Sequence, residues 1–259
     1  MSVRSSSVLP AVQQGLRRFT YLVPVALSRR VKGRAEIFFW KAEMRRYVAW
    51  YSGGEPLHGQ PAPDAGQRVT GGTVEHDAAS TFLELVQIPR YLSALELAPD
   101  ALRGARVLDV GCGPFPNLTA FDDCERHGLD PLVERYRDAG YPLDAWSGRG
   151  FTYHQSGAEQ MPFGDGFFDA VVSVNALDHV DDFEAVATEI RRVLRPGGLL
   201  RLQINYHPAT VTEPVVLDDG RVLAAFGWAG RLQKLRDEPH PVESGERLTL
   251  WAAGQAAAA

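Results

Sequence analysis

Apolar and polar positions follow two different periods along this chain, and the period changes near residue 105. Before that point the spacing is helical. The stretches "AVQQGLRRF" (11–19) and "AEIFFWKAEMRRYVAWY" (35–51) predict helices within residues 1–50, and Ile37, Trp40, Met44 and Val48 share one face of the second. Residues 52–75 are rich in Gly and Pro and predict a loop. Phe82, Leu83, Val86, Leu92 and Leu95 then predict a helix over 78–97.

From residue 105 short apolar runs alternate with helical stretches. "RVLDV", the weaker "ERHGLD", "FTYHQ" and "FFDAVVSVN" predict four strands, the last apolar enough for burial on both faces. "DFEAVATEIRRVLRP" predicts an amphipathic helix that "PGG" ends, and "LLRLQINY" a fifth strand. "RLQKLRD" and "ERLTLWA" suit a closing antiparallel pair, and "AAGQAAAA" a frayed tail. Alternation of this kind predicts an α/β fold: a seven-stranded, mostly parallel sheet with helices on both faces and a helical N-terminal cap. The expected division is a helical extension over 1–98, a ligand-binding domain over 99–253, and a tail over 254–259.

Composition narrows the possibilities. With 259 residues, 45% hydrophobic and 23% charged, the chain can bury one sizeable core. Its net charge of -5 argues against nonspecific nucleic-acid binding. Residues 1–34 nevertheless hold seven Arg or Lys and no acid, so a peripheral contact with an anionic membrane is one reading of that arm; a solvated helix or a dimer contact is the other. Two cysteines, Cys112 and Cys124, form neither a disulfide framework nor a Cys-x-x-Cys pair, which suits a cytoplasmic protein. "YLVPVAL" (21–27) is too short to span a bilayer.

The chemistry concentrates in "RVLDVGCGPFPNL" (106–118). Asp109 ends a strand, and Gly111 and Gly113 allow a tight turn with close backbone approach to a ligand. Asp130 ends the next strand, 21 residues on, where a carboxylate can accept both hydroxyls of a ribose. A dinucleotide fits poorly. The third glycine of its fingerprint is replaced by Pro116, and Pro114 and Pro116 remove N–H donors that a pyrophosphate uses. A ligand with a ribose and a positive end fits better, and S-adenosylmethionine is such a ligand.

"VLDVGCGP", "GLDP", "AEQMPFGDGFFDAVVSVNALDHVDD" and "EIRRVLRPGGLL", in this order, resemble class I S-adenosylmethionine-dependent methyltransferases of the small-molecule type that includes quinone-biosynthesis enzymes. The resemblance covers about residues 100–205 and implies a Rossmann-like sheet. It implies that Asp109, Gly111 and Gly113 hold the methionine end, Asp130 the ribose, and Ala158 and Glu159 the adenine, with Met161 against the ring. Asn175 contacts the cofactor through its backbone, and residues 176–179 face the methyl group and the acceptor. Two positions depart from the pattern. Gly157 stands where many relatives carry an acid, and Phe115 replaces a frequent glycine. Phe115 is expected in the wall between cofactor and acceptor.

His179, Asp178 and His207 are the candidate proton acceptors or acceptor contacts, since an oxygen acceptor must lose a proton. Helix capping explains Asp181 and Asp182 better than a cation does, and no metal is expected. Trp40, Tyr47, Trp50 and Tyr51 form a cluster that either packs on the domain or covers the acceptor. The expected activity is methyl transfer to a small-molecule acceptor, on oxygen or carbon. The alternatives are an RNA or protein methyltransferase, and a noncatalytic S-adenosylmethionine-binding subunit.

Overall fold

A computed structural model describes residues 25–241 and 245–254, residues 25–30 as backbone only. The 11–19 helix prediction, most of the basic arm and residues 255–259 lie outside them. Helix α1 (Val25–Tyr51) is followed by α2 (Val74–Phe82), a π-helical turn (Leu83–Gln87) and α3 (Ile88–Leu95). Then come β1 (Arg106–Val110), β2 (Glu125–Leu129), α4 (Val133–Asp138), α5 (Leu143–Ser147), β3 (Phe151–His154) and β4 (Phe168–Val174). The chain closes with α6 (Phe183–Val193), β5 (Leu194–Tyr206), α7 (Asp219–Phe226), β6 (Gln233–Pro239) and β7 (Arg247–Ala253).

The seven strands form one sheet in the order β3-β2-β1-β4-β5-β7-β6. β3, β2, β1, β4 and β5 are parallel, and β7 runs antiparallel to both β5 and β6. The order reverses between β1 and β4, and a crevice opens beyond the carboxyl ends of strands at such a switch point. Central position explains the apolar runs of β1 and β4: Val107, Leu108, Val171 and Val172 are fully buried.

Two helical layers cover the sheet. On one face Phe183, Val186, Ile190 and Val193 of α6 and Val222 and Phe226 of α7 pack on Leu108, Val171 and Leu202. On the other, Tyr91 and Leu95 of α3 pack on Val107, Ala170 and Val172. A third cluster joins α1 and α2 to residues 132–146 through Met44, Tyr47, Trp50, Phe82, Tyr136 and Trp146.

Three local expectations change. Helix α2 starts at Val74, because the Thr73 side chain accepts the His76 N–H and caps it. The helix then widens into a π turn just before Pro89, whose ring and missing N–H disrupt the ordinary ladder. Helix α6 stops at Val193, ahead of "RPGG"; those residues already belong to β5, where the register with β4 shifts between Phe168 and Ala170. The final antiparallel pair forms where the alternation placed it.

Candidate functional site

The carboxyl ends of β1 and β2 lie side by side, with Asp109 opposite Gly128 and Val110 opposite Leu129. The Gly111 N–H donates to the Leu129 carbonyl at 2.8 Å, which folds the turn back toward β2. Gly111 has a φ of 73°, and a Cβ there would meet the Ala176 Cβ at 2.2 Å. Only glycine fits this turn.

Asp109 is 1% exposed. Its Oδ2 and the nearby Tyr91 hydroxyl have no hydrogen-bond partner among the described residues. Burial lifts the carboxyl to about 7, opposed by the facing Tyr91 and Asn117 groups and reinforced by the charge of Asp130. Asn117 is held by Gln87, whose amide donates at 3.2 Å, and itself donates to the Cys112 carbonyl at 3.3 Å.

Asp130 sits across the turn. Oδ2 accepts the Gly113 N–H at 3.1 Å, and Oδ1 accepts the Leu132 N–H at 2.8 Å. Burial raises this carboxyl to about 6, the two backbone donors pull it down, and the charge of Glu36 raises it further. Each carboxylate oxygen retains a second lone pair for a ligand hydroxyl.

Of the remaining expected positions, Asn175 directly follows β4 with a left-handed φ of 52°. A non-glycine residue there is strained, as residues at binding sites often are. The Glu159 carboxylate is turned to its own fold: Oε1 accepts the Asp181 and Asp182 N–H groups at 2.8 and 3.3 Å and fixes the chain before α6. Asp182 caps α6 through Ala185 N–H. Ala158 and Met161 are core residues in the same cluster as Leu129.

Phe115 is buried in the third cluster, with ring centroids 5.7 to 6.2 Å from Trp40, Tyr47, Phe82, Tyr141 and Trp146. It anchors the α1–α2 layer; it does not form the expected wall. Tyr47 and Trp50 are core residues too. Trp40 alone of that group reaches the turn: a Cβ on Gly113 would lie 3.5 Å from its ring. Helix α1 thus crosses the strand ends, with Tyr141 donating to the Trp40 carbonyl at 3.0 Å and Lys32 Nζ donating to the His179 carbonyl.

His207, Asp178 and His179 do come together. His207 Nε2 lies 2.9 Å from Asp178 Oδ2, and Nδ1 lies 2.7 Å from the Pro208 carbonyl. Both ring nitrogens face acceptors, so the imidazole favours its doubly protonated form; burial opposes the charge, but Asp178 and Pro208 raise its pKa overall. Against its burial, the charge of His179 and then the His207 pairing hold Asp178 below the usual carboxylate range. His179 lies between Glu36 Oε1, 3.3 Å from Nδ1, and Glu213 Oε1, 3.9 Å from Nε2. Burial lowers its pKa, but the charges of Asp178, Glu36 and Glu213 prevail and raise it to about 9.

Glu36 and Glu213 are the site residues that sequence reasoning missed. Glu36 lies one turn from both Lys32 and Trp40 on α1, a spacing that marks a shared face. Glu213 stands in the irregular segment after β5, with no local signal.

The methyltransferase domain family matches residues 108–202. A sterol 24-C-methyltransferase of Gibberella zeae is 37% identical over 100 residues, which are 37% of this chain and 26% of that protein. The 27-O-demethylrifamycin SV methyltransferase of Amycolatopsis mediterranei is 35% identical over 105 residues, 38% of each chain. The chain therefore matches well under half the length of these relatives. Among solved structures, the YcgJ protein of Bacillus subtilis superposes with a TM-score of 0.51 at 17% identity, covering 65% of this chain and 98% of that one. Phosphoethanolamine N-methyltransferase 2 of Haemonchus contortus, in complex with S-adenosyl-L-methionine, gives 0.51 at 16%, covering 64% and 52%. These structural likenesses show the fold. Residues 108–202 match the methyltransferase domain family, on a sheet of the same fold as those structures.

Proposed function

We propose that this protein transfers a methyl group from S-adenosylmethionine to a small-molecule acceptor. The observation that carries the reading is the pair of buried carboxyls at adjacent strand ends, with Asp109 Oδ2 unpartnered above a turn that only glycine can make. When bound, the cofactor supplies an electrophilic methyl on a sulfonium. Asp109 suits its ammonium group, and Asp130 suits the ribose hydroxyls. Gly111 and Gly113 keep the backbone close enough for contact. Ala158, Glu159 and Asn175 stay as proposed neighbours of the adenosyl part, with Glu159 acting through the segment it fixes.

Asp178 Oδ2 and His207 Nε2 pair with each other, and the two side chains are 0% and 1% exposed. We therefore read them as positioning residues. His179, charged and facing two carboxylates, donates to Glu36 from Nδ1 and does not accept a proton near neutral pH. Transfer at this site then depends mainly on orientation of acceptor and donor. The sterol and rifamycin relatives favour a small-molecule acceptor over RNA or protein.

Contact with an anionic membrane surface is a second part of the reading. Phe38 and Phe39 are exposed on α1 beside the exposed Arg34, Lys41 and Arg45. Among the described residues no helix is long and apolar enough to cross a membrane.

Calorimetric titration with S-adenosylmethionine and S-adenosylhomocysteine tests the cofactor site. Saturable binding that collapses in Asp130→Ala is expected. Absence of binding in the wild-type chain, alone and with a small-molecule extract added, overturns the proposal.

A further inference from the structure

We propose that Asp178, His179 and Glu213 form a binding site for a divalent transition-metal cation. One ligand atom from each lies within 4.8 Å of the other two. The arrangement around them is that of a prepared site. Asp178 is fully buried; His207 holds its Oδ2, and Oδ1 has no hydrogen-bond partner among the described residues. Glu213 accepts the Thr210 hydroxyl on Oε2 at 2.7 Å and turns Oε1 toward His179 Nε2, 3.9 Å away. His179 Nδ1 faces Glu36 at 3.3 Å.

Asp178 and Glu213 each have one oxygen held from behind, by His207 and Thr210, and His179 has its Nδ1 beside Glu36. In the metal-free protein His179 carries a proton on each ring nitrogen; a cation displaces the one on Nε2, while Glu36 holds the Nδ1 proton and so fixes the tautomer. Asp178, His179 and Glu213 supply one nitrogen and two oxygens. Two carboxylates neutralise a dication, and the mixed donor set suits Mn²⁺ or Zn²⁺ better than Ca²⁺. Three protein ligands leave open positions for an oxygen of another molecule, whose proton a bound cation would make more acidic. That the other molecule is the methyl acceptor rests on the proposed function; binding of the cation does not.

The test uses the full chain stripped with a chelator and titrated with Mn²⁺, free Mn²⁺ being followed by electron paramagnetic resonance. One saturable Mn²⁺ per chain, displaced by Zn²⁺, is expected. Glu213→Gln should lose affinity at least tenfold, and Glu36→Gln should weaken it roughly 10–100-fold. Circular dichroism melts identify any variant that fails to fold. Wild type without saturable binding of either cation, or a folded Glu213→Gln that binds as tightly, overturns the site. Calorimetry with S-adenosylmethionine on the same stripped protein separates the two proposals. Cofactor binding without Mn²⁺ binding removes only the metal site, and Mn²⁺ binding without cofactor binding removes only the methyl-transfer reading.

Discussion

Replacing Asp109 with Asn should stabilise the cofactor-free protein at alkaline pH while removing its grip on the cofactor. The carboxyl is 1% exposed and lifted from 3.8 to about 7. A folded-state pKa above the unfolded value means that folding favours the protonated acid. Its contribution is complete below pH 4 and is lost as pH rises through about 7. Three pH units correspond to about 4 kcal/mol of destabilisation above pH 8. The amide of Asn escapes that cost but must itself be satisfied beside Tyr91 and Asn117, at about 1–3 kcal/mol. A net gain of roughly 1–3 kcal/mol at pH 8 is expected, shrinking or reversing at pH 5. Urea unfolding of both proteins at the two pH values, without ligand, measures it. Calorimetry should show S-adenosylmethionine affinity reduced at least tenfold, the loss of a charge-assisted bond of about 1.5–3 kcal/mol. An Asn variant less stable than wild type at pH 8, or one that binds the cofactor equally well, would refute the reasoning.

Other outcomes follow from the same geometry. His207→Ala leaves Asp178 buried without its partner and should cost about 3–5 kcal/mol in urea unfolding at neutral pH. Because the folded pKa of His207 is raised, the stability it contributes is full below its unfolded value and fades as pH climbs through the folded one. Gly111→Ala should destabilise by about 2 kcal/mol or more, read from thermal melts, since a positive φ and the Ala176 Cβ both oppose it. Glu159→Ala should free residues 178–182 and raise amide exchange there, whereas Glu159→Gln keeps the acceptor oxygen and should change exchange little. Trp40→Ala should accelerate limited proteolysis within α1, because that ring joins the helix to Phe115, Tyr136 and Tyr141.

The local sequence determined the sheet, the turn and the two carboxylates. Strand periodicity, the position of glycines and the end of an apolar run are properties of neighbours in the chain, so "RVLDVGCGP" carries Asp109 and Gly111 with it. The "QKLRDEP" and "RLTLWAA" strands were legible for the same reason. Helix boundaries were less so: "RPGG" reads as a stop for α6, but it also permits the register shift that starts β5 beside β4. Only tertiary structure decided what Phe115 does, because five rings from α1, α2 and residues 141–146 converge on it. Charge at His179 was likewise invisible. Its partners Glu36 and Glu213 stand 143 residues before it and 34 after, and close contact in space raises its pKa where separation in sequence says nothing.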